Sequence, residues 1–302
     1  MPPEAPSRPL TPALGGERLE LPSADGVVSV YVAGRGPPAL LVHSVNAAAS
    51  AAEVRPLHEH LQPTRTVFSL DLPGFGFSDR GDRAYSPQLM TRALHTVLAE
   101  ISRRCGALPV DAVALSLSCE FLARAASEDQ ARFRTITLVS PTGFRRGEVL
   151  RGPPGSTRGM PWLHRALVLP GWGPWLCAQL TRPGVIRFCL EKTWGSRVID
   201  EDLWRYCVHT ARQPGAHHAP LHFLAGNLFS RDVHPLYEAL AIPVWMCHGL
   251  RGDFTDYRGK TLVEGRDNWE FTAFPTGALP FFEIPDLFFA TWQSILDRAG
   301  VP

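Results

Sequence analysis

Short apolar runs alternate with amphipathic stretches through the first 140 residues of the chain. Residues 18–21 and 27–32 have strand-like patterning, and residues 39–42 form an apolar run bounded by Gly36-Pro37-Pro38 and a polar turn. A run this short and uniformly apolar suits a strand covered on both faces. The alanine-rich stretch 47–60 follows, in which Ser50 and Glu53 have the S-x-x-E spacing of a helix capping box. Residues 66–70 read as the next strand. They lead into Asp71-Leu72-Pro73-Gly74-Phe75-Gly76-Phe77-Ser78, a turn whose sharpness depends on Gly and Pro. Residues 87–104 predict a helix with Leu89, Ala93, Leu94, Val97 and Ile101 on one face. Residues 110–115 predict a strand and 119–126 a helix, which leaves Ser116 on the turn between them, and 136–139 predict a further strand. Strict alternation of strands and helices predicts a parallel, doubly wound α/β sheet.

The alternation stops after residue 142. From 143 to 235 the chain has Gly/Pro-rich turns and helical pieces containing Trp162, Trp172, Trp175, Trp194 and Trp204. Strand character returns at 243–247 and 269–274, and a closing helix is predicted over 288–298. The organisation expected is a loose N-terminal arm (1–16), an α/β core (17–142 and 236–302) and an inserted helical cap (143–235).

Composition narrows the function classes. Lys+Arg 30 against Asp+Glu 29 gives a net charge of +1, with no basic excess to hold nucleic acid. The proline-rich start lacks the apolar run of a secretory signal, and no apolar stretch reaches the roughly 18–20 residues of a membrane span. A cytoplasmic location is the expectation. The six cysteines contain no C-x-x-C pair, and no ligand cluster has metal spacing. No G-x-G-x-x-G follows a strand, so neither a metal nor an organic cofactor is expected.

The order of strand, His43-Ser44, helix, Asp71 loop, helix, strand, Ser116, helix, Ser140-Pro141, insertion, strand and Gly252-Asp253 resembles the α/β-hydrolase superfamily. The closest likeness is to its capped branch of esterases, epoxide hydrolases and dehalogenases. The resemblance covers about residues 18–300 and implies an α/β-hydrolase fold with a nucleophile elbow, usually G-x-S-x-G, that here reads Ala114-Leu115-Ser116-Leu117-Ser118. It assigns Ser116 as nucleophile and the N–H groups of Leu117 and Val45 as the oxyanion hole. Asp253, with Asp256 as its rival, is assigned as the acid. Ser50 also matches the loose elbow pattern but is read as a helix cap, and Ser118 as nucleophile would place bulky Glu120 where the elbow needs a small residue. His43-Ser44-Val45-Asn46 carries a serine where the family usually has glycine after the histidine, and Asn46 is a candidate side-chain donor.

The pattern breaks at the base. The family's chain order is Ser, acid, His, yet all eleven histidines lie at or before His248, and Ala278 stands at the usual histidine position. A serine hydroxyl is a weak nucleophile without an adjacent base. His43, His217, His218 and His248 are the candidate substitutes, with no choice among them. The expected function is hydrolysis of an ester-like or other small apolar molecule. The competing reading is a catalytically silent relative that binds an apolar ligand or a protein partner. The apolar stretch around Trp162, Leu169, Trp172 and Trp175, with Arg158 and Arg165 nearby, also raises a peripheral membrane contact, against packing on the core.

Overall fold

Strand β3 (Pro38–Val42) is buried at every position, and its side chains divide by alternation. Leu40 and Val42 join one apolar cluster, Ala39 and Leu41 the other. That period of two is what a strand with helices on both faces must show. The computed structural model, which describes residues 9–169 and 171–300, extends this arrangement into an eight-stranded sheet of order β1-β2-β4-β3-β5-β6-β7-β8. The other strands are β1 (Glu17–Ser23), β2 (Gly26–Ala33), β4 (Thr66–Asp71), β5 (Val110–Leu115), β6 (Phe133–Val139), β7 (Val244–Gly249) and β8 (Trp269–Phe274). Strand β2 runs antiparallel to both β1 and β4, and every other pairing is parallel.

Helices α1 (Arg55–Leu61), α10 (Pro280–Glu283) and α11 (Pro285–Arg298) cover one face. Leu57, Phe281, Phe288 and Trp292 pack there with Leu41, Val113, Leu115 and Trp245. Helices α2 (Pro87–Cys105), α3 (Ser118–Glu128) and α9 (Val233–Ala239) cover the other, where Leu94, Phe121 and Tyr237 pack with Leu40, Phe68 and Ala112. Between β6 and β7 lies the insertion: α4 (Pro161–Leu167), α5 (Trp172–Leu180), α6 (Pro183–Trp194), α7 (Glu201–Thr210) and α8 (His218–Leu224), followed by α9. The α/β-hydrolase architecture with a helical insertion is therefore present. The boundary expected at 235/236 falls inside α9, which packs against α3 of the core and ties the end of the insertion to it.

Two expectations are corrected. The arm 1–16 is read from sequence as loose. Residues 1–8 lie outside the described residues, but 9–16 are anchored. Ala13 N–H donates to the Tyr31 hydroxyl at 3.1 Å, Tyr206 Oη donates to Thr11 O at 2.8 Å, and Leu14 is buried. The arm thus bridges β2 and α7. The Ser50/Glu53 capping box does not form either. Ser50 caps only the tight turn Ala51–Val54, and Glu53 is turned into the core.

The loop after β4 is shaped by Asp71, whose buried carboxylate accepts N–H groups from Ala51 at 2.8 Å and Phe77 at 2.9 Å. Burial raises its pKa to about 6. Gly76 sits at φ +50° directly over this carboxylate, and a Cβ there would lie 1.9 Å from Asp71 Cγ. Gly76→Ala is expected to cost about 2–4 kcal/mol in urea denaturation, by displacing a buried hydrogen-bonded acid. A cost near zero would mean that the loop does not depend on this approach.

Candidate active site

Strand β5 is buried throughout and ends at Leu115, and α3 begins at Ser118, so the chain has to reverse within two residues. It does so at Ser116, with φ +53°. For an L-residue this left-handed conformation costs about 1–2 kcal/mol, and it persists only where the surroundings over-determine it. Here Ser116 N–H donates to Val139 O at 2.9 Å, and Cys119 N–H donates to Ser116 O at 3.2 Å. Ser118 Oγ donates to His43 O at 2.5 Å, joining the start of α3 to the end of β3. The rival hydroxyl of Ser118 is therefore buried and committed, whereas Ser116 is half-buried and its Oγ has no hydrogen-bond partner among the described residues. Ser140, one strand over at the end of β6, is the other non-glycine residue with positive φ among the described residues (+49°).

The turn after β3 is built around Glu53. Its buried carboxylate accepts Ser44 N–H at 2.8 Å and Asn46 Nδ2 at 2.8 Å, and Asn46 Oδ1 accepts Ala48 N–H at 2.8 Å. Asn46 is thus spent on shaping the turn. Neither Val45 nor Leu117 N–H has an acceptor among the described residues, although both residues are buried. Unpaired N–H groups in buried residues are rare; Leu117 follows Ser116 directly, and Val45 lies two residues after His43, whose carbonyl holds the Ser118 hydroxyl.

The histidines separate by their partners. His43 is fully buried. Its Nδ1 donates to Ser44 O at 2.6 Å and its Nε2 accepts Leu72 N–H at 2.9 Å, so no lone pair is left for a proton. Burial lowers its pKa to about 4. The His217 and His218 rings touch in a tilted arrangement with centroids 4.0 Å apart, and His218 faces Asp82 at 3.6 Å in the loop after β4. His248, the penultimate residue of β7, donates Nδ1–H to Gly249 O at 3.0 Å and stacks on Tyr257 at 4.1 Å. Its Nε2 has no partner among the described residues, and burial lowers its pKa below the usual histidine value.

Both candidate acids lie near cations. The Asp253 side chain is 58% exposed and lies 3.9 Å from Lys192 Nζ at the end of α6, with no histidine among its partners. Asp256 pairs with Arg258 at 2.8 Å. Ala278, which the sequence reading sets at the usual histidine position, is held by its backbone. Its carbonyl accepts Ser140 Oγ at 2.7 Å and its N–H donates to Thr193 O at 2.9 Å. The end of α6 is pressed against this loop so closely that a Cβ on Gly277 would lie 2.4 Å from Trp194 Cα.

Two residues to which the sequence reading gave no role, Glu120 and Arg124, join the insertion to α3. Glu120 accepts Thr142 Oγ1 at 2.5 Å and Ser230 N–H at 2.8 Å, so one carboxylate grips both ends of the insertion. One turn later, Arg124 holds Asp232 at 2.7 and 3.1 Å. Burial pushes Glu120 up to about 7. A charged pair four apart inside an otherwise apolar helix was the available sequence signal.

No family model matches the chain, and no curated protein matches it. Solved structures do. A serine hydrolase of carbazole degradation superposes with TM-score 0.70 at 15% identity, over 94% of this chain and 99% of that one. An esterase from Thermogutta terrifontis superposes with TM-score 0.69 at 17% identity (94% and 99%). An epoxide hydrolase superposes with TM-score 0.68 at 18% identity (93% and 99%). The chain has the fold of the α/β-hydrolases, cap included. At these identities the likeness is one of fold.

Because the folded-state pKa of Glu120 lies above its unfolded value, the folded state holds the extra proton, and stability falls as pH rises from about 4.5 to about 7. His43 acts with the opposite sign: its lowered pKa removes stability as pH falls from 6.5 to about 4. Glu120→Gln isolates the first effect. Its stability relative to the native chain is expected to grow by about 3 kcal/mol between pH 4.5 and pH 8, read by urea denaturation at each pH. A pH-independent difference would contradict the assignment. At Ser116, glycine relieves the left-handed strain that alanine retains, so Ser116→Gly should be at least as stable as Ser116→Ala. An ordinary site would show the reverse by roughly 0.5–1 kcal/mol.

Proposed function

We propose that this protein is a serine-type hydrolase of small ester-like substrates, with Ser116 as nucleophile and the Leu117 and Val45 N–H groups as the oxyanion hole. The observation that carries this reading is the left-handed Ser116 turn between a buried strand and a helix, beside two unpaired donors. Strain of this kind clusters at active sites, and preorganised donors are commonly the largest electrostatic contribution to acyl transfer. The solved relatives include enzymes described as a serine hydrolase and an esterase, which supports the same class.

Of the four candidate bases, His248 is the best placed. Leu115 pairs with Val139 and Val139 with Cys247, so the next residues, Ser116, Ser140 and His248, fall in one row across three adjacent strands. Neighbouring strands lie roughly 5 Å apart, so the Ser116 and His248 backbones, two strands apart, are separated by roughly 10 Å, a span that the two side chains and one bridging water can cross. Donation of Nδ1–H to Gly249 O fixes the tautomer that leaves Nε2 as the acceptor, and burial keeps the ring neutral near pH 7. Asp253 has no orienting role in this scheme. In the reaction the Ser116 proton passes to His248 as Oγ bonds to the ester carbonyl carbon. The oxyanion is held by Leu117 and Val45, and the proton then goes to the leaving alkoxide. Water hydrolyses the acyl-serine by the same route.

A second reading, a silent binding protein, is favoured by one observation: His248 has no carboxylate partner among the described residues, its Nδ1 donating to a backbone carbonyl instead. A fluorophosphonate probe followed by peptide mapping separates the two. Labelling confined to Ser116 and absent in Ser116→Ala is expected. His248→Asn should lower kcat/KM for a short-chain p-nitrophenyl ester about 10²–10⁴-fold and remove an acid-side inflection below pH 6.5. No labelling of a protein with a native circular dichroism spectrum would leave the binding reading.

A further inference from the structure

The cap carries a surface whose chemistry is unlike that of the rest of the chain. The 42 residues from Val149 to Leu190 contain no Asp or Glu, although a chain with 29 acidic residues in 302 would place about four there. The same stretch carries Arg151, Arg158, Arg165, Arg182 and Arg187. Within it, α4 and α5 use one side to pack on α8: Leu163, Leu167, Leu176 and Cys177 meet Leu221 and Ala225. The opposite side is uncovered. Trp162 is 67% exposed, Leu169 57%, Trp172 48% and Trp175 52%, with Val168 and Leu180 also exposed. Trp172 and Trp175 stack on each other at 5.1 Å. Arg151, Arg158 and Arg187 pair with acids outside the stretch, whereas exposed Arg165 and Arg182 have no carboxylate partner among the described residues.

A soluble chain leaves single apolar residues exposed as a matter of course, but three tryptophans with flanking aliphatics on one helical pair form a patch that calls for a partner. Its sign identifies the partner. Tryptophan favours the boundary between hydrocarbon and headgroup, arginine reaches from there to lipid phosphates, and the lack of carboxylates removes the repulsion an anionic surface would otherwise meet. Helices of seven and nine residues are too short to cross a bilayer, and no helix among the described residues is long and apolar enough to do so, so this pair would lie on the surface.

We propose that the α4–α5 pair docks on an anionic phospholipid surface, with Trp162, Trp172 and Trp175 inserted among the headgroups and Arg165 and Arg182 on the phosphates. The inference is independent of Ser116 chemistry. It is tested by flotation of the full chain with vesicles of phosphatidylcholine alone or with 30% phosphatidylglycerol, together with tryptophan emission. Binding and a blue shift are expected on the anionic vesicles, with affinity at least tenfold lower on phosphatidylcholine alone. Arg165→Glu/Arg182→Glu should weaken binding ten- to hundredfold, and Trp172→Ala/Trp175→Ala should weaken it at least tenfold and abolish the blue shift while circular dichroism stays native. Failure of the folded native chain to bind anionic vesicles would overturn the proposal. Binding that both variants leave unchanged would also overturn it, as would a concentration-dependent dimer lost on Trp172→Ala/Trp175→Ala without any vesicle binding, which would assign the patch to a second copy of the chain.

Discussion

The left-handed turn at Ser116 is the constraint around which the centre of the molecule is arranged. It cannot be held locally, because an isolated serine gains nothing from that conformation. Three neighbouring elements hold it: Val139 of β6 accepts the Ser116 N–H, His43 at the end of β3 accepts the Ser118 hydroxyl, and the buried strand β5 fixes the approach. His43 is committed to the same task. It links the β3 turn to Leu72 through Nε2, so a residue that looks catalytic by type serves as a strut between two loops.

Buried carboxylates extend the arrangement outward. Glu53 shapes the turn that leaves Val45 unpaired, Asp71 shapes the loop after β4, and Glu120 fastens both ends of the insertion to the helix that follows Ser116. Each accepts two hydrogen bonds and each is raised in pKa by burial. A buried acid with satisfied oxygens contributes little net stability but fixes one geometry, since removing a partner leaves an uncompensated polar group. The seating of the insertion is thus coupled to the Ser116 turn through one helix, α3, by Glu120 and Arg124 together.

Much of this was legible in the chain itself. The elements were readable because buried strands are short apolar runs and surface helices repeat every three to four residues, and Ser116 was readable because it falls where one period gives way to the other. What escaped depended on side-chain direction. Ser50 and Glu53 have the spacing of a capping box, yet Glu53 gains more from Ser44 and Asn46, which are distant in pattern and near in space. Asp253 follows β7, and its exposed side chain lies 3.9 Å from Lys192 Nζ, a neighbour from the insertion that the sequence pattern does not mark. The arm near Thr11 and Ala13 lacks periodicity, and it is ordered by single hydrogen bonds to Tyr206 and Tyr31 that leave no mark on a hydrophobic pattern. Ser140, which shares the positive φ of Ser116 and stands between it and His248, was readable only as the Ser140-Pro141 step before the insertion, with nothing in the pattern to mark its backbone.

The most direct measurement of the central claim is a crystal structure of the protein after reaction with a small alkyl phosphonate. The account places the phosphorus on Ser116 Oγ with φ of that residue still positive, and one phosphonyl oxygen about 2.7–3.1 Å from the N–H groups of Leu117 and Val45. An adduct on another residue would contradict it, as would an oxygen turned away from those two donors.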